Sequence, residues 1–284
     1  MSYTAEISRN SPTCFLLLVD QSYSMTESVG GTPGVQKAAF VADALNKTLQ
    51  NLVMASSKLT GTEMEIRDYF HIGVIGYGLN VGPAFVGSLS GKELVPLSEV
   101  GYNPARIEVR QRKVPDGAGG IITEDVRFPI WFDAVANGAT PMCQAFSLAY
   151  SILEPWIADH PDAFPPIVLN VTDGQPTDGD PRQIAAHLRS LETSDGNVQI
   201  FNMHVSALNA SPLCFPNSAQ QLPADQYAHM MFDMSSSITT FAWEMAQQYY
   251  PGTERDARGF VFNAGIEDII HFFDIGTRVK VRQV

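Results

Sequence analysis

Hydrophobic positions along this chain fall into short continuous runs separated by stretches of helical spacing. Residues 14–20 form one such run and end in the carboxylate of Asp20, the pattern of a central strand buried on both faces of a parallel sheet. After a loop with Gly30, Gly31, Pro33 and Gly34, apolar residues recur at 35, 38, 39, 42, 45, 49, 52 and 53, the stripe of an amphipathic helix. Residues 71–77 predict the next strand and residues 83–89 another. A helix follows from Pro141 to about residue 157, then a buried strand over 166–171 that ends at Thr172 and Asp173. Asp180-Pro181 opens a helix over 181–191, since Asp caps and Pro suits the first turn. A strand over 198–205, a short edge strand over 228–232, a helix over 235–249 and a closing helix over 266–273 complete the reading. Strands alternating with helices predict an α/β fold: a Rossmann-like, doubly wound, mainly parallel sheet flanked by helices.

Residues 90–130 break that rhythm. Residues 106–113 alternate apolar with polar, residues 115–120 carry turn chemistry, and residues 121–128 read as a return strand. A β-hairpin inserted into the α/β core is expected there. Its alternation leaves one face to solvent, either as a structural elaboration or as a partner surface. The length of 284 residues fits a single domain over 1–284, with a core over about 12–275 and an insertion over about 90–130.

Composition narrows the chemistry. The formal net charge is −12 and no long basic run occurs, so nucleic acid is a poor partner. Cys14, Cys143 and Cys214 are far apart and odd in number, which predicts free thiols rather than a disulfide framework. The first residues lack the pattern of a signal peptide, and the longest apolar runs are too short to span a bilayer. A cytoplasmic protein with no membrane partner is expected.

Three segments should converge at one edge of the sheet, because ligands in open α/β sheets bind beyond the carboxyl ends of the strands. They are Asp20-Gln21-Ser22-Tyr23-Ser24, Gly138-Ala139-Thr140-Pro141-Met142 and Thr172-Asp173-Gly174. Asp20, Ser22, Ser24, Thr140 and Asp173 offer carboxylate and hydroxyl oxygens. That donor set suits a hard cation, Mg²⁺, Mn²⁺ or Ca²⁺, with no nearby sulfur or imidazole to favour zinc. Each also has a plainer reading: Asp20 and Asp173 as loop formers, Ser22 and Ser24 as turn hydroxyls, Thr140 as a helix cap. Tyr23 reads first as a packing residue on its loop and second as a contact at the rim. Asp178 and Asp180 read as loop and capping residues. The six histidines are scattered without metal-ligand spacing.

Asp-x-Ser-x-Ser, the Thr of Gly-x-Thr-Pro-Met and the Asp of Thr-Asp-Gly, in that order, resemble the metal-ion-dependent adhesion site (MIDAS) of von Willebrand factor A (VWA) domains. The resemblance covers roughly residues 12–275. It implies that Ser22, Ser24 and Thr140 contact the cation directly or nearly so, and that Asp20 and Asp173 act directly or through water. It also implies a protein partner whose Asp or Glu completes the shell, and a binding role rather than an enzyme. Phe15-Leu-Leu-Leu-Val-Asp20, Asn137-Gly-Ala-Thr-Pro-Met142 and Val171-Thr-Asp-Gly-Gln-Pro-Thr177 look most like the bacterial cytoplasmic TerY-like members. Those resemble accessories to kinases, phosphatases or AAA+ ATPases in stress and defence systems. Gln21, Tyr23 and the hairpin depart from the pattern.

Two rival functions follow from the same residues. A haloacid-dehalogenase-like phosphatase also places Asp after its first strand and uses Mg²⁺. It expects an acid at position 22, which is Ser here, and a lysine between Thr140 and Asp173, where none occurs. A scaffold with a non-essential metal site is the third reading. A Ser hydrolase and a dinucleotide enzyme lack their Gly-x-Ser-x-Gly and Gly-rich turns.

Overall fold

The computed structural model describes residues 3–29, 34–60, 63–115, 120–205 and 211–277. Chain order runs β1 (Thr13–Asp20), α1 (Lys37–Ala55), β2 (Ser57–Thr60), β3 (Glu63–Ile66), β4 (Phe70–Tyr77), β5 (Val81–Pro83), β6 (Val95–Pro96) and α2 (Leu97–Tyr102). It continues through β7 (Arg106–Pro115), β8 (Ile121–Ile130), α3 (Met142–Asp159), β9 (Ile167–Thr172) and α4 (Arg182–Ser190). The last elements are β10 (Glu192–Thr193), β11 (Gly196–Asn197), β12 (Gln199–Val205), β13 (Leu213–Cys214), α5 (Gln226–Met234), α6 (Thr240–Tyr249), β14 (Phe260–Ala264) and α7 (Ile266–Thr277).

The main sheet has the order β13-β14-β12-β9-β1-β4-β5, with β6 also on β4. The pairs from β14 through β12, β9 and β1 to β4 are parallel, and antiparallel strands β5, β6 and β13 finish the edges. All eight residues of β1 are buried. Phe15, Leu17 and Val19 enter one core with α1, α6 and α7, while Cys14, Leu16 and Leu18 enter a second core with α3, α4 and α5. Burial on both faces is why this strand reads as a continuous apolar run. The α/β architecture expected from the sequence is present. The chain steps from β1 to β4 on one side, and β9 takes the place on the other. The gap between β1 and β9 is therefore the topological switch point, where such folds hold ligands.

The inserted hairpin is present as an antiparallel ladder pairing Arg106 with Ile130 through Pro115 with Ile121. Its inner face is tied down by Arg110, which donates to both Asp43 oxygens at 2.9 Å and lies over the Phe128 ring. Val109 and Ile121 on the other face are exposed. The predicted turn residues 116–119, and Gly30, Gly31 and Pro33 of the predicted loop, lie outside the described residues.

Several predicted elements need correction. Residues 83–89 are not a strand: β5 ends at Pro83, and Gly87 takes φ +72° to start a short 3-10 turn. A side chain at 87 would strike Ala105. Residues 228–232 are helical, within α5, because the Asp225 carboxylate accepts from the Tyr227 and Ala228 N–H groups. A short apolar run does not separate strand from helix, and here the cap decides. The helix predicted over 235–249 begins only at Thr240, where the Thr239 side chain caps it. Ser236 instead bonds β12 through Ile200. β14 had no predicted counterpart, being a brief run between Gly259 and Gly265.

Candidate functional site

The parallel register sets the first contacts. Val19 pairs with Val171, which leaves Asp20 beside Thr172 at the ends of β1 and β9. The Thr172 hydroxyl donates to Asp20 Oδ2, and the Ser22 backbone N–H donates to Asp20 Oδ1 at 2.8 Å. The chain then turns so that Ser22 Oγ and Ser24 Oγ lie 3.0 Å apart, and Ser24 Oγ donates to Asp173 Oδ1 at 2.6 Å.

Backbone bonds bring the third segment in. Asn137 N–H donates to the Gln21 carbonyl at 2.6 Å, and Tyr23 N–H to the Gly138 carbonyl at 3.1 Å. Gly138 has φ +78°, and a side chain there would strike the Leu79 backbone; only glycine meets both demands without strain. Thr140 is then fixed by Thr177, whose N–H bonds the Thr140 carbonyl and whose hydroxyl accepts the Thr140 N–H. An ideal Cβ on Gly174 would lie 3.5 Å from Thr140 Oγ1 and 3.6 Å from Ser24 Oγ. The two hydroxyls therefore face one small space over Gly174. Asp178 caps α3 by accepting from the Cys143 and Gln144 N–H groups, and Asp180 accepts the Arg182 N–H. Both take N–H groups at helix starts, although Pro181 rather than Asp180 is the N-cap of α4.

The cluster also holds a cation that the sequence pattern hid. Lys37 Nζ donates to Asp173 Oδ2 at 2.7 Å and to Glu27 Oε2 at 2.8 Å. The Lys37 side chain is 3% exposed and that of Asp173 is fully enclosed. Position 37 stands at the head of the buried stripe Val41, Leu45, Leu49 and Leu52 of α1. A lysine at the end of an apolar stripe was the available signal.

Burial is the leading electrostatic effect. It pushes the Asp20 carboxyl up to about 6, against the hydrogen bonds from Ser22 and Thr172 that favour the charged form. Burial likewise lowers His204, next to Asp173, and raises the phenol of Tyr77 beside Asp20. Tyr77 donates to Asn170 Oδ1 at 2.7 Å beneath the site.

Thus the structure brings Asp20, Ser22, Ser24 and Asp173 into one hydrogen-bonded cluster and sets Thr140 beside it. The packing reading of Tyr23 fails, since that side chain is 72% exposed at the rim. Gln21 instead turns under Gly76, where any side chain would overlap it. Among the described residues no group of three or more His, Cys, Asp or Glu side chains is arranged to hold a metal. The cluster itself has two acidic ligand candidates, and its other oxygens are hydroxyls. Those oxygens fit a hard cation in kind. Among the described residues no helix is long and apolar enough to cross a membrane. The three cysteines are free thiols.

No family model matches the chain, and no curated protein matches it. Among solved structures it is similar to the crystal structure of the ArnB paralog VWA2 from Sulfolobus acidocaldarius, at 11% identity and a TM-score of 0.34. The alignment covers 68% of this chain and 35% of that one, so this chain spans about a third of that protein's length. A likeness at this level carries no argument about function.

Proposed function

We propose that this chain is a VWA-type binding domain that holds one divalent cation, Mg²⁺ or else Mn²⁺ or Ca²⁺, and uses it to bind a partner protein. The observation that carries the reading is the meeting of three distant segments over Gly174, with Ser24 on Asp173 and Thr140 beside them. Asp20, Ser22, Ser24, Thr140 and Asp173 would hold the cation. Such an ion is a Lewis acid toward oxygen, and a partner Asp or Glu would supply the remaining ligand. The chain's own residues do the positioning. Thr172 and the Ser22 N–H fix both oxygens of Asp20, and Lys37 fixes one oxygen of Asp173. Tyr23 stands exposed at the rim, where an arriving surface meets it.

The partner class follows from the motif likeness: a kinase, phosphatase or AAA+ ATPase of a bacterial stress or defence system, with this cytoplasmic chain as accessory or adaptor. The test is retention of partners from the native lysate by wild type and Asp20→Ala, each with Mg²⁺ and with EDTA. A partner held only by wild type with Mg²⁺ supports the reading. One held equally by all four samples favours the scaffold with a non-essential metal.

Lys37 favours a second reading. The phosphatase alternative lacked a lysine between Thr140 and Asp173, and the fold delivers one from α1. Position 22 still offers a serine whose hydroxyl is shared with Ser24, not a general acid. Turnover of p-nitrophenyl phosphate by wild type but not Asp20→Ala would favour that chemistry over binding.

A further inference from the structure

We propose that Lys37 is a tethered cation that occupies part of the electrostatic role of the divalent ion, holding the Asp173 carboxylate and weakening cation affinity. The proposal rests on the cation reading given above and adds a residue outside the five matched positions. Three observations carry it. The ammonium sits on Asp173 Oδ2 while the other oxygen of the same carboxylate takes the Ser24 hydroxyl. The lysine side chain is 3% exposed, so water screens its charge weakly. Its backbone N–H is anchored to the Glu27 carbonyl at 2.8 Å, at the start of a 19-residue helix, so it is held in place.

Charge then decides the consequence. Asp20 and Asp173 carry two negative charges when ionised, and Lys37 returns one positive charge. A divalent ion therefore enters a field weaker than two free carboxylates would give. Once it is bound, the ion, the two carboxylates and Lys37 sum to one positive charge, before the more exposed Glu27 is counted. Without Lys37 that sum would be zero. The lysine thus lowers affinity for the ion and leaves the loaded site attractive to an anionic group, which fits a partner carboxylate better than a neutral or basic one.

The test is Mn²⁺ titration, followed by electron paramagnetic resonance, of wild type, Lys37→Gln, Lys37→Met, Lys37→Arg and Asp20→Ala, with melting curves in EDTA and in Mn²⁺. Removing a poorly screened unit charge beside the ion should tighten Mn²⁺ binding by about tenfold or more in Lys37→Gln and Lys37→Met. Lys37→Arg should stay near wild type, and Asp20→Ala should bind none. A neutral variant that folds only with Mn²⁺ supports the proposal, since the ion then replaces the missing ammonium. Folded neutral variants that bind Mn²⁺ no tighter than wild type would overturn it and leave the cation reading intact. Neutral variants that fold in neither condition would also overturn it, by showing a purely structural lysine. If no protein in the set binds Mn²⁺, the cation reading falls and takes this inference with it.

Discussion

The two ends of the same central strands handle buried polarity in opposite ways. At the amino ends, Thr13 Oγ1 donates to the Phe164 carbonyl at 2.8 Å, and His71 Nδ1 accepts the Trp156 indole N–H at 2.7 Å. The His160 ring stacks on Trp156 with centroids 4.4 Å apart. These contacts pair neutral donors with neutral acceptors. At the carboxyl ends, the buried Asp20 and Asp173 carboxylates share a cluster with an enclosed ammonium and three hydroxyls. Enclosing charges is a poor way to close a sheet, because desolvation offsets the attraction between them. The amino ends carry carboxylates as well, but there Asp195 takes the Thr4 and Ala5 N–H groups and Asp68 takes the Ser98 N–H, whereas the carboxyl ends enclose a carboxylate with an ammonium.

The largest effect should come from stripping Lys37 of its partner. Asp173→Ala leaves an ammonium buried beside only Glu27, and we expect it to destabilise the protein by about 3–5 kcal/mol in chemical denaturation. Adding Lys37→Met should restore most of that loss, and a double mutant no better than Asp173→Ala would refute the pairing.

Asp20 offers the next contrast. Burial pushes its carboxyl up to about 6 from the ordinary 3.8. The native state thus holds its proton more tightly than the unfolded chain, and stability without metal should fall as pH rises from about 4 to about 6, then level off. Asp20→Asn should abolish cation binding yet stabilise the EDTA-treated protein at pH 7 by about 2–3 kcal/mol. An unchanged or lowered melting temperature would show that Asp20 carries no such burden.

His71 at the opposite end should give the reverse slope. Burial, with help from His160, lowers its pKa below 6.5. The unfolded chain then binds the proton more tightly, so stability is lost as pH falls below about 6.5. His71→Gln keeps an acceptor for Trp156 and should flatten that limb. Denaturation midpoints at pH 5 and pH 7 decide it. The smallest effect on folding belongs to Tyr23→Ala, within about 0.5 kcal/mol, since the residue is exposed. Any weakening of partner retention by that variant therefore reports contact at the rim.

Most of this architecture was legible in the sequence because its signals are local. The apolar run of β1, the stripe of α1 and the alternation of β7 and β8 each state a period. The candidate ligands were legible because two strand ends and a Gly-x-Thr-Pro turn share one edge of a parallel sheet. Pairing across the sheet was not legible in the same way. Residues 228–232 of α5 read as a strand because five apolar-rich residues carry no decisive period, and the Asp225 cap lies upstream of them. Lys37 escapes the sequence pattern because a lysine in a helix is ordinarily solvated. Only the fold shows that its helix opens against Asp173. Gly138 matters through close approach, and that depends on which loops meet.

The central claim is that oxygens from three separate segments hold one hard cation. Counting bound Mn²⁺ per chain by electron paramagnetic resonance, for wild type, Asp20→Ala and Thr140→Val, tests it most directly. One ion per wild-type chain, lost in both variants while each still melts cooperatively, is the predicted result. Binding that survives both substitutions, or a wild-type chain that takes up no Mn²⁺ at millimolar concentration, would contradict it.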